Sequence, residues 1–226
     1  MQENSQILNT WNLNAKAWIN TIAQNGIETR RLVTNKAIEE AAITLHPERL
    51  LDLGCGEGWL IRELQKQLPE THFTGIDAVP ELIDAAGKLF SGATFLTHTY
   101  ESIIDGEFRP ADTFDVIAIN FALFGNEIVQ DLLMAIRPFI SAGGHLVVQT
   151  LHPHTANAGA PYKDGWREGS WQGFSEDFKS PAPWYFRTFE SWINLFSISG
   201  YSIKKIQEPV HPDSLQPVSM IFTLSL

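Results

Sequence analysis

Through the middle of the chain, short apolar runs alternate with longer amphipathic ones, and the two kinds have different periods. Residues 50–53, 73–76 and 94–96 are brief strand-length runs. Residues 114–119 and 145–150 are richer in Val and Ile, which predicts strands buried on both faces. Between these runs, residues 59–68, 80–90 and 126–140 read as helices. Pro80 suits a first helical turn, where its missing N–H is no loss, and Gly143 with Gly144 marks the turn into the following strand. Alternation of this kind predicts an α/β fold, a parallel sheet covered by helices on both faces.

The flanks depart from that rhythm. Over residues 27–45, Val33, Ala37, Ile38, Ala41, Ala42 and Leu45 fall on one helical stripe, which predicts a helix packed on the sheet. Residues 152–187 are rich in Gly, Pro and Trp and keep no sustained period, so they read as a long insertion, a lid or a binding loop. Thr188 then caps a helix reaching about residue 199, with Gly200 beyond its end. Residues 201–207 and 220–226 alternate like a closing antiparallel pair, around a loop holding Pro209, Pro212 and Pro217. The expected organisation is a single domain over residues 1–226. Within it, 1–46 form a helical cap, 47–151 the core, 152–187 the insertion, and 188–226 a helix with a strand pair.

Composition narrows the partners. At 226 residues and 44% hydrophobic, the chain suits one sizeable core. Sixteen basic against twenty-six acidic side chains give a formal charge of −10, which repels phosphate backbones, so nucleic acid is not the expected substrate. Cys55 is the sole cysteine and has no disulfide partner within the chain. The opening Met-Gln-Glu-Asn-Ser lacks the features of a signal peptide, and a cytoplasmic location is expected. The most apolar stretch, residues 114–124, is broken by Asp115 and Asn120 and falls short of the roughly 20 residues of a membrane span. Nothing in the pattern sets an oligomeric state.

The strongest chemical signal is Leu51-Asp52-Leu53-Gly54-Cys55-Gly56-Glu57-Gly58-Trp59, a strand running into glycines at every second position and then into a helix. Such a loop lets backbone approach a ligand closely. A dinucleotide fingerprint needs its third glycine one place later, where this chain has Trp59. The next strand ends at Asp77, 23 positions after Gly54, where an acidic side chain accepts hydrogen bonds from ribose hydroxyls. A ribose is implied, and a diphosphate is not.

With Gly75-Ile76-Asp77, Phe114-Asp115-Val116-Ile117 and Gly143-Gly144-His145-Leu146-Val147-Val148 following in order, residues 47–151 resemble class I S-adenosylmethionine-dependent methyltransferases. Within them the chain looks most like the small-molecule type of ubiquinone and menaquinone biosynthesis. The resemblance implies a Rossmann-like sheet, S-adenosyl-L-methionine as cofactor with S-adenosyl-L-homocysteine as product, and a small-molecule acceptor. It also implies that Gly54, Cys55 and Gly56 line the methionine and ribose part, that Asp77 holds the ribose hydroxyls, and that Ala78 touches the adenine. Asn120 and Phe121 would sit beside the methionine end. Where relatives commonly place an aspartate for the adenine amino group, this chain has His98-Thr99-Tyr100, so the Thr99 hydroxyl or the Tyr100 backbone would substitute. Cys55 reads as a small buried residue rather than a nucleophile.

Methyl transfer mainly requires alignment and exclusion of water, and a base is optional. His152 and His154 follow the fifth strand, at the sheet edge where ligands bind, and are the candidate bases; capping the strand end is the alternative. The insertion supplies Tyr162, Trp166, Trp171, Phe174, Phe178, Trp184, Tyr185 and Phe186, of which Trp166 and Tyr185 are the candidate acceptor contacts. The same rings would equally form the insertion's own small core. Arg167 and Arg187 could hold a substrate carboxylate, or be ordinary surface arginines. Trp11, Asn14 and Trp18 share a helical face, and in related enzymes the N-terminal segment often folds over the cofactor, so Trp18 joins the acceptor candidates, with plain packing as the alternative. His46, His72, His98, His145 and His211 are scattered and read as structural or solvent-facing, and no spacing suggests a metal site. The expected reaction is O- or C-methylation of an aromatic or quinone-like metabolite. A non-catalytic cofactor-binding sensor or scaffold is the alternative, and a nicotinamide-dependent oxidoreductase fits the glycine spacing less well.

Overall fold

The computed structural model describes residues 2–226, with side chains from residue 4 onward. The chain opens with helix α1 (Gln2–Ala23), a π-helical turn (Arg30–Thr34) and α2 (Asn35–Ile43). Strands and helices then alternate: β1 (Arg49–Leu53), α3 (Trp59–Gln65), β2 (His72–Asp77), α4 (Pro80–Leu89), β3 (Thr94–Thr97), α5 (Tyr100–Ile104), β4 (Phe114–Asn120), α6 (Glu127–Ala135) and β5 (Ile140–Leu151). The insertion holds α7 (Pro153–Ala156), β6 (Gly165–Arg167) and β7 (Trp184–Phe186). Helix α8 (Phe189–Ile198), β8 (Ser202–Gln207) and β9 (Ser219–Ser225) complete the chain.

Seven strands form one sheet in the order β3-β2-β1-β4-β5-β9-β8. Parallel pairing runs from β3 to β5. The expected C-terminal antiparallel pair is present, with a specific arrangement: β9 runs against both β5 and β8, so it alone is reversed. Both faces of the sheet are covered, as the continuous apolar runs require. Leu50, Val116, Ala118 and Val147 pack against Ile38, Ala41 and Ala42 of α2 and Leu60, Ile61 and Leu64 of α3. Leu51, Ile117, Ile119, Leu146 and Val148 point the other way, toward Val129, Leu132 and Leu133 of α6 and Trp192 and Phe196 of α8. Helix α1 packs on α4, with Ala15, Val79 and Leu82 at the contact.

Several expectations are revised. Residues 27–45 are not one α-helix, because the π-helical turn interrupts the stripe before α2. Helix α6 stops at Ala135 rather than near 140, since Pro138 cannot continue it and the chain tightens into a 3-10 turn (Arg137–Phe139). Gly143 and Gly144 lie inside β5 rather than before it. Gly143 has φ +80°, and the register with β4 shifts between Phe114 and Val116, so the pair marks a bulge. The insertion is not structureless: β6 and β7 pair as an antiparallel hairpin, each only three residues long, too short to show a period. No helix among the described residues is long and apolar enough to cross a membrane.

Candidate active site

The turns that follow β1, β2, β3 and β4 converge at one edge of the sheet and form the floor of a cavity of about 760 Å³. Gly54, Gly56 and Gly58 all take positive φ (+83°, +57° and +78°), so the loop after β1 has a shape that side chains oppose. A Cβ on Gly54 would lie 2.5 Å from that of Ala122, so the glycine also lets the turn after β4 close in. Asp77, at the end of β2, accepts from the Gly56 N–H through Oδ2 and from the Val79 N–H through Oδ1, both at 2.9 Å. Burial pushes its carboxyl group above its ordinary pKa, while the N–H groups of Val79, Gly56 and Ala78 pull it back. Ala78, His98, Thr99, Tyr100, Asn120 and Phe121 complete this wall together with Cys55, so every residue expected at the cofactor lines the same space.

Two of these have defined structural duties. Thr99 caps α5, its hydroxyl accepting from the Ser102 N–H, and the Tyr100 hydroxyl donates to the Ala122 carbonyl at 3.0 Å. Beneath the floor, burial together with the charges of Asp77 and Glu57 raises the Asp52 carboxyl group to about 8, so it is largely protonated at neutral pH. Glu57 pairs with Arg62 at 2.8 Å.

The π-helical turn contributes what the sequence pattern did not single out. Arg30 stands 4.5 Å over the Trp59 ring and 5.4 Å from Trp18, and donates to Asn35 through Nε. Burial lowers its pKa to about 10, offset in part by Glu57, so it remains a cation. Arg30 Nη2, Thr34 Oγ1 and Asn120 Oδ1 are buried without a hydrogen-bond partner among the described residues, on three residues that line the cavity. A carboxylate at Asp77, an unpaired acceptor at Asn120 and donors at Arg30 and Thr34 fit a nucleoside with a zwitterionic tail. No periodicity separates Arg30 from a surface arginine, so only the π-turn's geometry reveals it.

The opposite wall is apolar. Leu8 and Trp11 of α1, Phe124, Ile128 of α6, and Trp171, Phe174 and Trp184 from the insertion face one another across it. Trp11 stacks on Phe124 at 6.1 Å and meets Trp171 edge-on at 5.9 Å. The roof is sewn by Asn14, whose amide donates to the Lys179 carbonyl at 2.8 Å and accepts from the Lys179 N–H at 2.7 Å, and by the Thr10 hydroxyl on the Ser180 carbonyl.

Not every candidate reaches the cavity. His152 caps α7, accepting from the His154 N–H through Nδ1, while its Nε2 lies 2.8 Å from Glu208; His154 is exposed, and neither lines the site. Trp166 and Tyr185 stack edge-on at 5.5 Å on the outer hairpin, away from the chamber. Trp18 does line it, but its Nε1 lies 3.4 Å from where a Gly56 Cβ would be, which puts it against the glycine loop rather than among the insertion's rings. Arg187 is buried, donates to the Asn126 carbonyl and stands over Tyr185 and Trp192, and Arg167 stands over Phe186. His98, read as structural or solvent-facing, instead faces the cavity, with Nδ1 3.3 Å from Ser102 Oγ.

A sheet of this order, with a glycine loop after its first strand and an acidic side chain ending its second, is an α/β scaffold whose carboxyl edge offers a nucleoside-sized cavity. Residues 27–202 match the family described as methyltransferase domain, and the chain belongs to it. An uncharacterised methyltransferase of Schizosaccharomyces pombe is 28% identical over 74% of this chain and 64% of its own length. The malonyl-[acyl-carrier protein] O-methyltransferase of Halalkalibacterium halodurans is 29% identical over 48% of this chain and 41% of its own. The chain thus spans less than two thirds of either relative. Among solved structures, an S-adenosylmethionine-dependent methyltransferase from Mesorhizobium loti superposes with a TM-score of 0.60 at 23% identity, covering 82% of this chain and 95% of that one, which shows the shared fold.

Proposed function

We propose that the protein methylates an oxygen, or secondarily a carbon, of a planar aromatic or quinone-like small molecule seated among the rings of the roof. One observation carries the reading: the glycine loop and Asp77 share a single cavity with Trp11, Phe124, Trp171, Phe174 and Trp184. S-adenosylmethionine, when bound, supplies a methyl group on a positively charged sulfur. Asp77 keeps lone pairs free for two ribose hydroxyls after accepting its two backbone N–H groups. Asn120 Oδ1, buried without a partner, would accept from the ammonium of the amino-acid end, and Arg30 Nη2 with the Thr34 hydroxyl would donate to its carboxylate. The indole and phenyl faces stack on a planar acceptor and favour positive charge beside them. Helix α1 and the insertion act as a two-part lid that excludes water.

Among the described residues, no basic side chain from the roof lines the cavity, His152 and His154 lie outside it, and His98 and Arg30, which do line it, belong to the turn after β3 and to the π-helical turn. The acceptor this favours has a hydroxyl that ionises near neutral pH unaided, such as an acidic phenol or a hydroxyquinone. The test is transfer of labelled methyl from S-adenosylmethionine to a panel of phenols, hydroxyquinones, carboxylic acids and amines. Turnover is expected on the first two classes, and turnover confined to amines would sink the proposal.

A further inference from the structure

Asn120, Phe121 and Ala122 are consecutive, yet all three line the cavity, which an extended strand with alternating side chains does not allow. The chain manages it because Phe121 has φ +50°, a conformation that a bulky residue adopts only when its surroundings impose it. Four contacts impose it. The Phe121 N–H donates to the Gln149 carbonyl at 2.9 Å, the Ala122 carbonyl accepts from the Tyr100 hydroxyl at 3.0 Å and from the Phe124 N–H at 3.2 Å, and Gly54 leaves room for the Ala122 methyl. Two of these are backbone hydrogen bonds and the glycine is an absence of atoms, so among the described residues Tyr100 is the side chain whose hydrogen bond holds the turn.

We infer that Tyr100 is a positioning residue: its hydrogen bond to Ala122 keeps Phe121 left-handed and thereby fixes the Asn120 amide against the amino-acid end of the cofactor. This rests on the cofactor orientation proposed above. It gives Tyr100 a role other than the adenine contact by its backbone that the resemblance suggested.

A double-mutant cycle separates this from a general packing role. Calorimetry on the full chain, on Tyr100→Phe, on Phe121→Gly and on the double variant would use two probes: S-adenosylhomocysteine and 5′-methylthioadenosine, which lacks the amino-acid part. Tyr100→Phe should weaken S-adenosylhomocysteine by about tenfold and 5′-methylthioadenosine by less than about twofold. Glycine adopts positive φ unaided, so in the Phe121→Gly background the same substitution should cost less than about twofold. Equal losses for both probes, or an undiminished tenfold loss in the glycine background, would overturn the inference. Should Tyr100→Phe fail to fold, Phe121→Gly is expected to restore it, and failure to do so also overturns the idea. A wild-type chain that binds neither probe would overturn the functional reading itself.

Discussion

At Gly54 two demands coincide, a φ of +83° and an Ala122 methyl that would sit 2.5 Å from any added Cβ. Gly54→Ala should therefore cost about 1–3 kcal/mol of stability by thermal melting and more than about tenfold in S-adenosylhomocysteine affinity by calorimetry. Asp52 shapes the pH response. Its folded pKa is lifted from 3.8 to about 8, so between those values the folded chain keeps a proton that the unfolded chain has lost. Its contribution is fully present below about pH 4 and is lost as pH rises toward 8. Asp52→Asn should flatten that decline in a series of melts, and an unchanged slope would assign it to other groups. The glycine loop and Asp77 were legible in the sequence because backbone geometry dictates those residue types at those spacings. The direction of His152 was not, because it depends on the capping of α7 and on Glu208, 56 residues away. His152→Ala should cost about 1–2 kcal/mol of stability while leaving S-adenosylhomocysteine affinity unchanged.

The strands and helices of the core were readable because burial on one or both faces stamps a period on the sequence. The roof was not, since three-residue strands and irregular backbone carry no period, and only contact decides which rings turn inward. Trp171 and Trp184 face the cavity while Trp166 and Tyr185 pair outside, although all four lie in one aromatic-rich segment. The π-helical turn was equally hidden, because its apolar positions continue the stripe of α2. Asn14 is the testable joint between the two halves of the roof. Asn14→Ala would leave the Lys179 N–H without its partner and its carbonyl with the Trp171 indole N–H alone, at a cost of about 1–3 kcal/mol. Faster proteolytic cleavage within residues 157–182 is the expected readout, and cleavage at the wild-type rate would show that other contacts hold the roof.

Across the whole molecule, cofactor and fold should be coupled by mass action. Product at a hundredfold excess over its dissociation constant adds about 2.7 kcal/mol of stability, or about 5–10 °C in melting temperature for a chain of this size. A scan with S-adenosylhomocysteine that leaves the melt unmoved would contradict the proposed cofactor site. The two walls of that site have different origins. The floor is made by turns that the sheet itself brings together, while the roof joins residues 165 and 170 positions apart through Asn14 and Thr10. On the proposed reading, methyl-donor recognition rests mainly on the scaffold, and acceptor preference on the roof. Exchanging residues 157–182 while keeping Trp18 against the glycine loop would then be expected to retarget the catalyst to a different nucleophile without rewriting how it holds its donor.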